Sequence, residues 1–179
     1  MLVRVAIATG LRRSELCGLK WDDIDLTRHK MRVKRAVVIV DSETHEKPTK
    51  TRATRRLTLD LITVQLLAAH KEHVETQAAQ HGTSIAADGF VFSYTLDCSE
   101  PIKPYWVTDK FRNLPSNGRT VRFHDLRHAH ATQLLGNGID IPTVAGRLGH
   151  ATPSTTLNFY AHALEENDQT AANTIGDLL

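Results

Sequence analysis

His124, Arg127, His128 and His130 crowd the start of one predicted helix, in the stretch HDLRHAH, and a further histidine follows at His150. Two chemistries suit such a set. A metal site would use His124 and His128, one helical turn apart. However, a catalytic zinc usually needs three protein ligands, the HxxxH spacing lacks the intervening Glu of a metalloprotease helix, and Arg127 between the two rings would repel a cation. An anion suits the helix better. His124 and Arg127 lie three residues apart on one face, near a helix end whose free N–H groups favour negative charge. A guanidinium offers a forked pair of donors to two phosphate oxygens, and an imidazole exchanges a proton near neutral pH. The expected ligand is therefore a phosphodiester, with no metal and no cofactor. His128 and His130 are assigned to packing or to the surface.

The elements that position these residues are mostly helices. Residues 1–9 have the pattern of an amphipathic helix stopped at Gly10, and Ser14, Glu15, Leu16 and Leu19 form a second short one. The β-branched MRVKRAVVIV and the later TRRLTL are expected to pair as a hairpin or small antiparallel sheet, joined by a polar, Pro-containing connection. From Asp60 the period changes to a helical one, with Leu61, Val64, Leu67 and Ala68 on one stripe and a stop at Gly82. Pro104 opens a helix toward Phe111. After the helix from His124 to the GNG turn, Asp140 caps IPTVAGRLG, a short helix covers PSTTLNFYAHAL, and a last one lies in the acidic tail. The fold class is thus α+β, mainly α-helical, with one small sheet.

The length of 179 residues suits one domain, and a helix cut at its start points to a piece of something longer. No apolar run approaches a membrane span, and the opening residues do not form a signal peptide. Cys17 and Cys98 lack the spacing of a zinc knot or a disulfide framework, which fits a reducing cytoplasm. The net charge of +2 is uneven: residues 28–56 hold ten Lys and Arg against three acids, whereas residues 151–179 hold no Lys or Arg. A basic block on a strand-rich segment suits a polyanion such as nucleic acid, although such a block also serves as a solvated charged face.

Three separated stretches, TGLRRSELCGLKW, HDLRHAHATQLL and LGHATPSTTLNFYAH, occur in the order and approximate spacing of the tyrosine recombinase (phage integrase) family, which the chain resembles over nearly its whole length. The resemblance implies an integrase-like DNA breaking-rejoining fold over residues 1–179. That single catalytic domain is expected to lack its first helix and the separate amino-terminal DNA-binding domain. Arg12 resembles the first catalytic arginine, and Glu15 the acidic residue that supports the site. His124 and Arg127 match the His-x-x-Arg pair, His150 the later histidine, and Tyr160 the nucleophile. Lys50 falls where the family's hairpin lysine lies, eight residues before the usual Pro, which is Thr58 here. Its neighbours Lys47, Arg52 and Arg55 are close competitors and are expected to contact DNA.

The implied activity is site-specific recombination through a covalent 3′-phosphotyrosyl link, without metal or ATP. Two arginines stabilise the charge that builds on the non-bridging oxygens. A phenol titrates near ~10 and needs a proton acceptor, for which His124 is the candidate, with His150 donating to phosphate or standing in as base. Lys50 would protonate the departing 5′-oxygen. The expected partners are double-stranded DNA and further copies of the chain, a tetramer on DNA and a monomer when free, with the tail residues Leu164, Ala171, Ile175 and Leu178 docking on a neighbour or folding back. The competing readings are a helix-turn-helix binding module without chemistry, built from IPTVAGRLGHATPSTTLNFY, and an inactive integrase fragment. A helix-turn-helix wants a basic second helix, and this segment offers none.

Overall fold

The computed structural model describes residues 1–48, 54–114, 121–152, 154, 156–157 and 168–178. Helix α1 (Leu2–Thr9) ends on Gly10 in the left-handed conformation, φ 63°, and α2 (Arg13–Cys17) follows directly. A short 3₁₀ turn at Trp21–Asp23 leads into β1 (Ile24–Asp25), which pairs antiparallel with β2 (Lys30–Val33). Next come β3 (Arg35–Val40), β4 (Glu43–Pro48) and β5 (Arg55–Thr58), then helices α3 (Leu61–Gln80), α4 (Pro104–Arg112), α5 (Asp125–Gly136), α6 (Ile141–Leu148) and α7 (Asp168–Leu178). The mainly helical α+β expectation holds. No helix among the described residues is long and apolar enough to cross a membrane.

The sheet region departs from the expected hairpin in two ways. The run MRVKRAVVIV is not one strand, because the ladder breaks at Lys34: β2 pairs with β5 in a three-stranded sheet, while β3 pairs with β4 in a separate ribbon. The polar connection is itself a strand, β4, in register from Val40 opposite Glu43 to Arg35 opposite Pro48. A two-residue turn at Asp41 and Ser42 closes this ribbon with φ of 49° and 68°, the sense that matches strand twist. Every residue of β4 is exposed, so no apolar alternation marked it in the sequence. Lys20 ties the ribbon down through Glu46 at 2.9 Å and reaches Asp88 at 2.8 Å.

Helix α3 begins where expected, with the Asp60 carboxylate accepting from the Thr63 backbone N–H at 3.0 Å and from its hydroxyl at 2.6 Å. Its buried face keeps Val64 and Leu67 of the expected stripe and loses the other two. Thr63, Val64 and Leu67 face the core, whereas Leu61 and Ala68 are exposed. Leu61 is the first helical residue, and the cap that fixes Thr63 against Asp60 turns the inward face onto positions 63, 64 and 67.

The main core joins α1, α2, β2, β5 and α3 through Val5, Leu16, Met31, Leu57 and Leu67. A second cluster of Ala131, Leu135, Val144 and Leu148 packs α5 against α6. Full burial of a leucine contributes about 1.5–3 kcal/mol, so Leu135 and Leu148 together hold α5 against α6. Gly10 joins the two clusters. A Cβ there would lie 2.8 Å from both His130 Cδ2 and Leu148 Cδ2, at a φ that L side chains rarely adopt. Gly10→Ala is expected to destabilise the protein by about 2–4 kcal/mol in urea unfolding; a change below about 0.5 kcal/mol would show that α1 and α5 are free to shift apart.

Candidate active site

Arg12 sits at the start of α2 in extended backbone, where its N–H donates to Glu15 Oε2 at 2.8 Å. The same carboxylate accepts from Arg12 Nη1 at 2.9 Å. Glu15 is 2 % exposed, and on its other side Arg55 grips both oxygens, Nη1 to Oε1 at 3.0 Å and Nη2 to Oε2 at 2.7 Å. Burial pushes the Glu15 carboxyl up, but Arg55 and the Arg12 N–H and guanidinium outweigh it and hold it below the usual range. It is an anion clasped by two cations.

Both arginines then reach the end of α6. The last carbonyls of a helix have no partner within it and carry its negative dipole end. Here three consecutive ones are taken by three arginines: Arg147 O by Arg55 Nε at 3.0 Å, Leu148 O by Arg127 Nη2 at 2.7 Å, and Gly149 O by Arg12 Nη2 at 3.3 Å. Arg127, 4 % exposed on α5, also donates to Gly10 O at 2.6 Å. Gly149 turns the chain out of α6 in the left-handed conformation, φ 67°, and a Cβ there would lie 2.8 Å from Arg55 Nη1. His150 follows at once, its Nδ1 2.8 Å from the hydroxyl of the fully buried Thr156.

Arg12, Glu15, His124, Arg127 and His150 are therefore brought together from three parts of the chain. The charges of Arg127 and Arg12 act on both histidines. Burial first, then Arg127, Arg12, Arg55 and His128, pull His150 from 6.5 down to about 4. Burial, then His128, Arg127 and Arg12, lower His124 as well. Both rings are neutral at neutral pH, beside a cationic surface. A guanidinium has five N–H donors, and among the described residues Arg12 uses two, on Glu15 and Gly149, with its side chain partly exposed toward an anion.

One placement differs from the sequence reading. Arg55, expected to contact DNA, is turned inward onto Glu15; it shares the inward side of β5 with the buried Leu57, and that two-residue alternation was the signal. His128, expected to pack or lie at the surface, is half-buried and edge-on to His124, ring centroids 4.8 Å apart, as four-residue helical spacing allows. Thr156 carried no signal in the sequence. His130 does pack, its Nδ1 2.7 Å from Ile7 O. Lys47 is exposed near the end of β4. Lys50, Arg52 and Tyr160, and most of the helix expected over 153–164, lie outside the described residues.

The sequence profile of the phage integrase family matches residues 1–167. The chain belongs to this family. Among relatives of this chain, the tyrosine recombinase XerC-like protein of Caldanaerobacter subterraneus subsp. tengcongensis is 30 % identical over 194 residues, covering 99 % of this chain and 49 % of that protein. The ICEBs1 integrase of Bacillus subtilis is 30 % identical over 176 residues, covering 98 % and 48 %. The chain thus spans about half the length of these curated relatives. Its fold is similar to the Tn1549 transposon integrase solved with transposon right end DNA, with a TM-score of 0.73 at 20 % identity over 97 % of this chain and 57 % of that one. XerA recombinase gives 0.70 at 23 % identity, over 95 % and 57 %.

A histidine whose folded pKa is depressed favours the unfolded state once that state can take up a proton. Stability is therefore full above pH 6.5 and is lost as the pH falls from 6.5 toward about 4. His124 and His130 are shifted in the same direction. Urea unfolding at successive pH values is expected to show this decline, and His150→Gln to flatten it by on the order of 1 kcal/mol after solvent screening. An unchanged slope in the variant would mean that the arginine field does not act on His150.

Proposed function

We propose that the chain is the catalytic domain of a DNA strand-transferring, site-specific recombinase. The observation that supports this reading is the convergence of Arg12, His124, Arg127 and His150 around the end of α6, on a frame clasped by Glu15. Arg12 and Arg127 form the clamp on the two non-bridging oxygens of the scissile phosphate and stabilise the charge that develops there. Tyr160 is the nucleophile. Its oxygen attacks phosphorus, the bond to the 5′-oxygen breaks, and a 3′-phosphotyrosyl link forms. His124, kept neutral by burial and by the neighbouring cations, accepts the phenol proton. When the Thr156 hydroxyl donates to His150 Nδ1, the neutral ring carries its proton on Nε2 and donates it as a hydrogen bond to a phosphate oxygen. Lys50 protonates the departing 5′-oxygen. Attack by a second 5′-hydroxyl on the phosphotyrosine reverses the step and joins new strands, so the bond energy is conserved and neither metal nor ATP is consumed.

The partner is double-stranded DNA in a bacterial or phage-host cytoplasm, with Lys47 and Arg52 as contacts near the cleavage site. Assembly as a tetramer on DNA belongs to the same proposal; Ile175, 58 % exposed on α7, is an apolar contact available to a neighbouring copy. A binding module without chemistry leaves Arg12, Glu15 and Arg55 without a task. Incubation with a nicked suicide duplex, followed by denaturing electrophoresis, is expected to give a slowly migrating protein–DNA band that Tyr160→Phe abolishes. A band that survives this substitution removes Tyr160 as nucleophile. DNA binding with no band from the unsubstituted chain favours the module or an inactive fragment.

A further inference from the structure

Arg55 and Arg56 are neighbours on β5 and point to opposite faces of the three-stranded sheet. Arg55 turns in to Glu15, whereas Arg56 is exposed. On β2 the same alternation buries Met31 and Val33 and exposes Lys30 and Arg32. The register sets Arg32 directly opposite Arg56 and Lys30 opposite Thr58. Like charges directly opposite on a sheet destabilise it, and a fold under no other demand relieves them with an acid on one strand. Neither arginine has a carboxylate partner among the described residues; Arg32 donates to the backbone oxygen of Asp22 at 2.6 Å.

This pair lies in an open concavity of about 910 Å³ whose other cations are Arg28, Lys30 and Lys71. Three carboxylates also border it, Asp22, Asp23 and Asp25. Asp23 is already neutralised by Lys34 at 2.8 Å and Arg35 at 2.5 Å, both outside the concavity; Asp25 accepts from the Arg28 backbone N–H at 2.8 Å, and Asp22 and Asp25 keep their charges against the five cations. The surface that remains is a cationic trough, too open to enclose one small anion. Side chains two residues apart on a strand are separated by about 7 Å, so Lys30 and Arg32 address different groups of an extended partner.

We propose that this outward sheet face, through Arg32 and Arg56, is a second phosphate-contacting surface for duplex DNA, on the opposite side of the sheet from the arginines of the cleavage site. The proposal rests on the reading that the chain acts on DNA. Paired forks on adjacent strands suit the oxygens of a phosphate backbone, and a second contact outside the cleavage site holds a flank of the duplex without touching the scissile bond.

The test is the salt dependence of noncovalent binding to a fluorescein-labelled duplex several helical turns long, by anisotropy between about 50 and 200 mM potassium chloride. Each phosphate contact contributes ~0.9 to the slope of log affinity against log salt. Arg32→Gln combined with Arg56→Gln is expected to reduce that slope by about two, and Arg56→Glu alone by about one or more. Arg56→Glu places opposite charges across the strands, so it stays folded, with a thermal midpoint at or above that of the parent chain. Slopes equal to the parent's in both variants overturn the proposal, as does parent binding that is insensitive to salt. The covalent band is read in parallel on the parent chain. Its absence sinks the recombinase reading and leaves the slope comparison valid, whereas a normal band beside unchanged slopes overturns only the second surface.

Discussion

The carboxylate of Glu15, taken out of water and clasped by two guanidinium groups, is the interaction on which the site depends. Removing a carboxylate from water costs several kcal/mol, and the cost is offset only when every lone pair is engaged. Here Arg55 takes both oxygens and Arg12 adds a backbone and a side-chain donor. The consequence reaches beyond the pair, because Arg55 and Arg12 go on to the carbonyls of residues 147 and 149 while Arg127 takes the one between. The end of α6 is thus held by side chains from α2, β5 and α5. His150 leaves from that fixed point, and its ring is steadied by Thr156.

The same arrangement sets the electrostatics. Burial, together with the positive field of Arg127 and Arg12, keeps His124 and His150 neutral. A bound phosphate reverses part of the effect, because its negative charge offsets Arg12 and Arg127 and raises the affinity of both rings for a proton. In the proposed reaction, substrate binding would in this way favour proton transfer to His124. The two left-handed glycines serve the packing beneath: Gly10 admits His130 and Leu148, and Gly149 leaves room for Arg55.

Much of this was legible in the residues. The helix ends at Gly10, Asp60, Pro104 and Asp140 carry local cap and turn chemistry, which acts within a few residues and so can be read one segment at a time. The three motif stretches carried the site residues Arg12, His124, Arg127 and His150. The ribbon was harder to read. Strand β4 is exposed throughout, so the two-residue turn at Asp41 and Ser42 and pairing to β3 define it, and no apolar pattern does. The buried face of α3 was legible at Val64 and Leu67 but not at Thr63, a polar residue that the helix cap turns into the core. Arg55 was assigned by charge to DNA, and its true direction follows from its place two residues before Leu57 on an inward-facing side.

The most direct test of the frame is a double-mutant cycle on Glu15 and Arg55, read by urea unfolding of Glu15→Ala, Arg55→Ala and the double variant. Each single change leaves a buried charge without its bidentate partner and is expected to cost about 3–5 kcal/mol, with the double variant less destabilised than the sum by at least about 2 kcal/mol. Additive effects, with a coupling below about 0.5 kcal/mol, would contradict the claim that this clasp holds the site together.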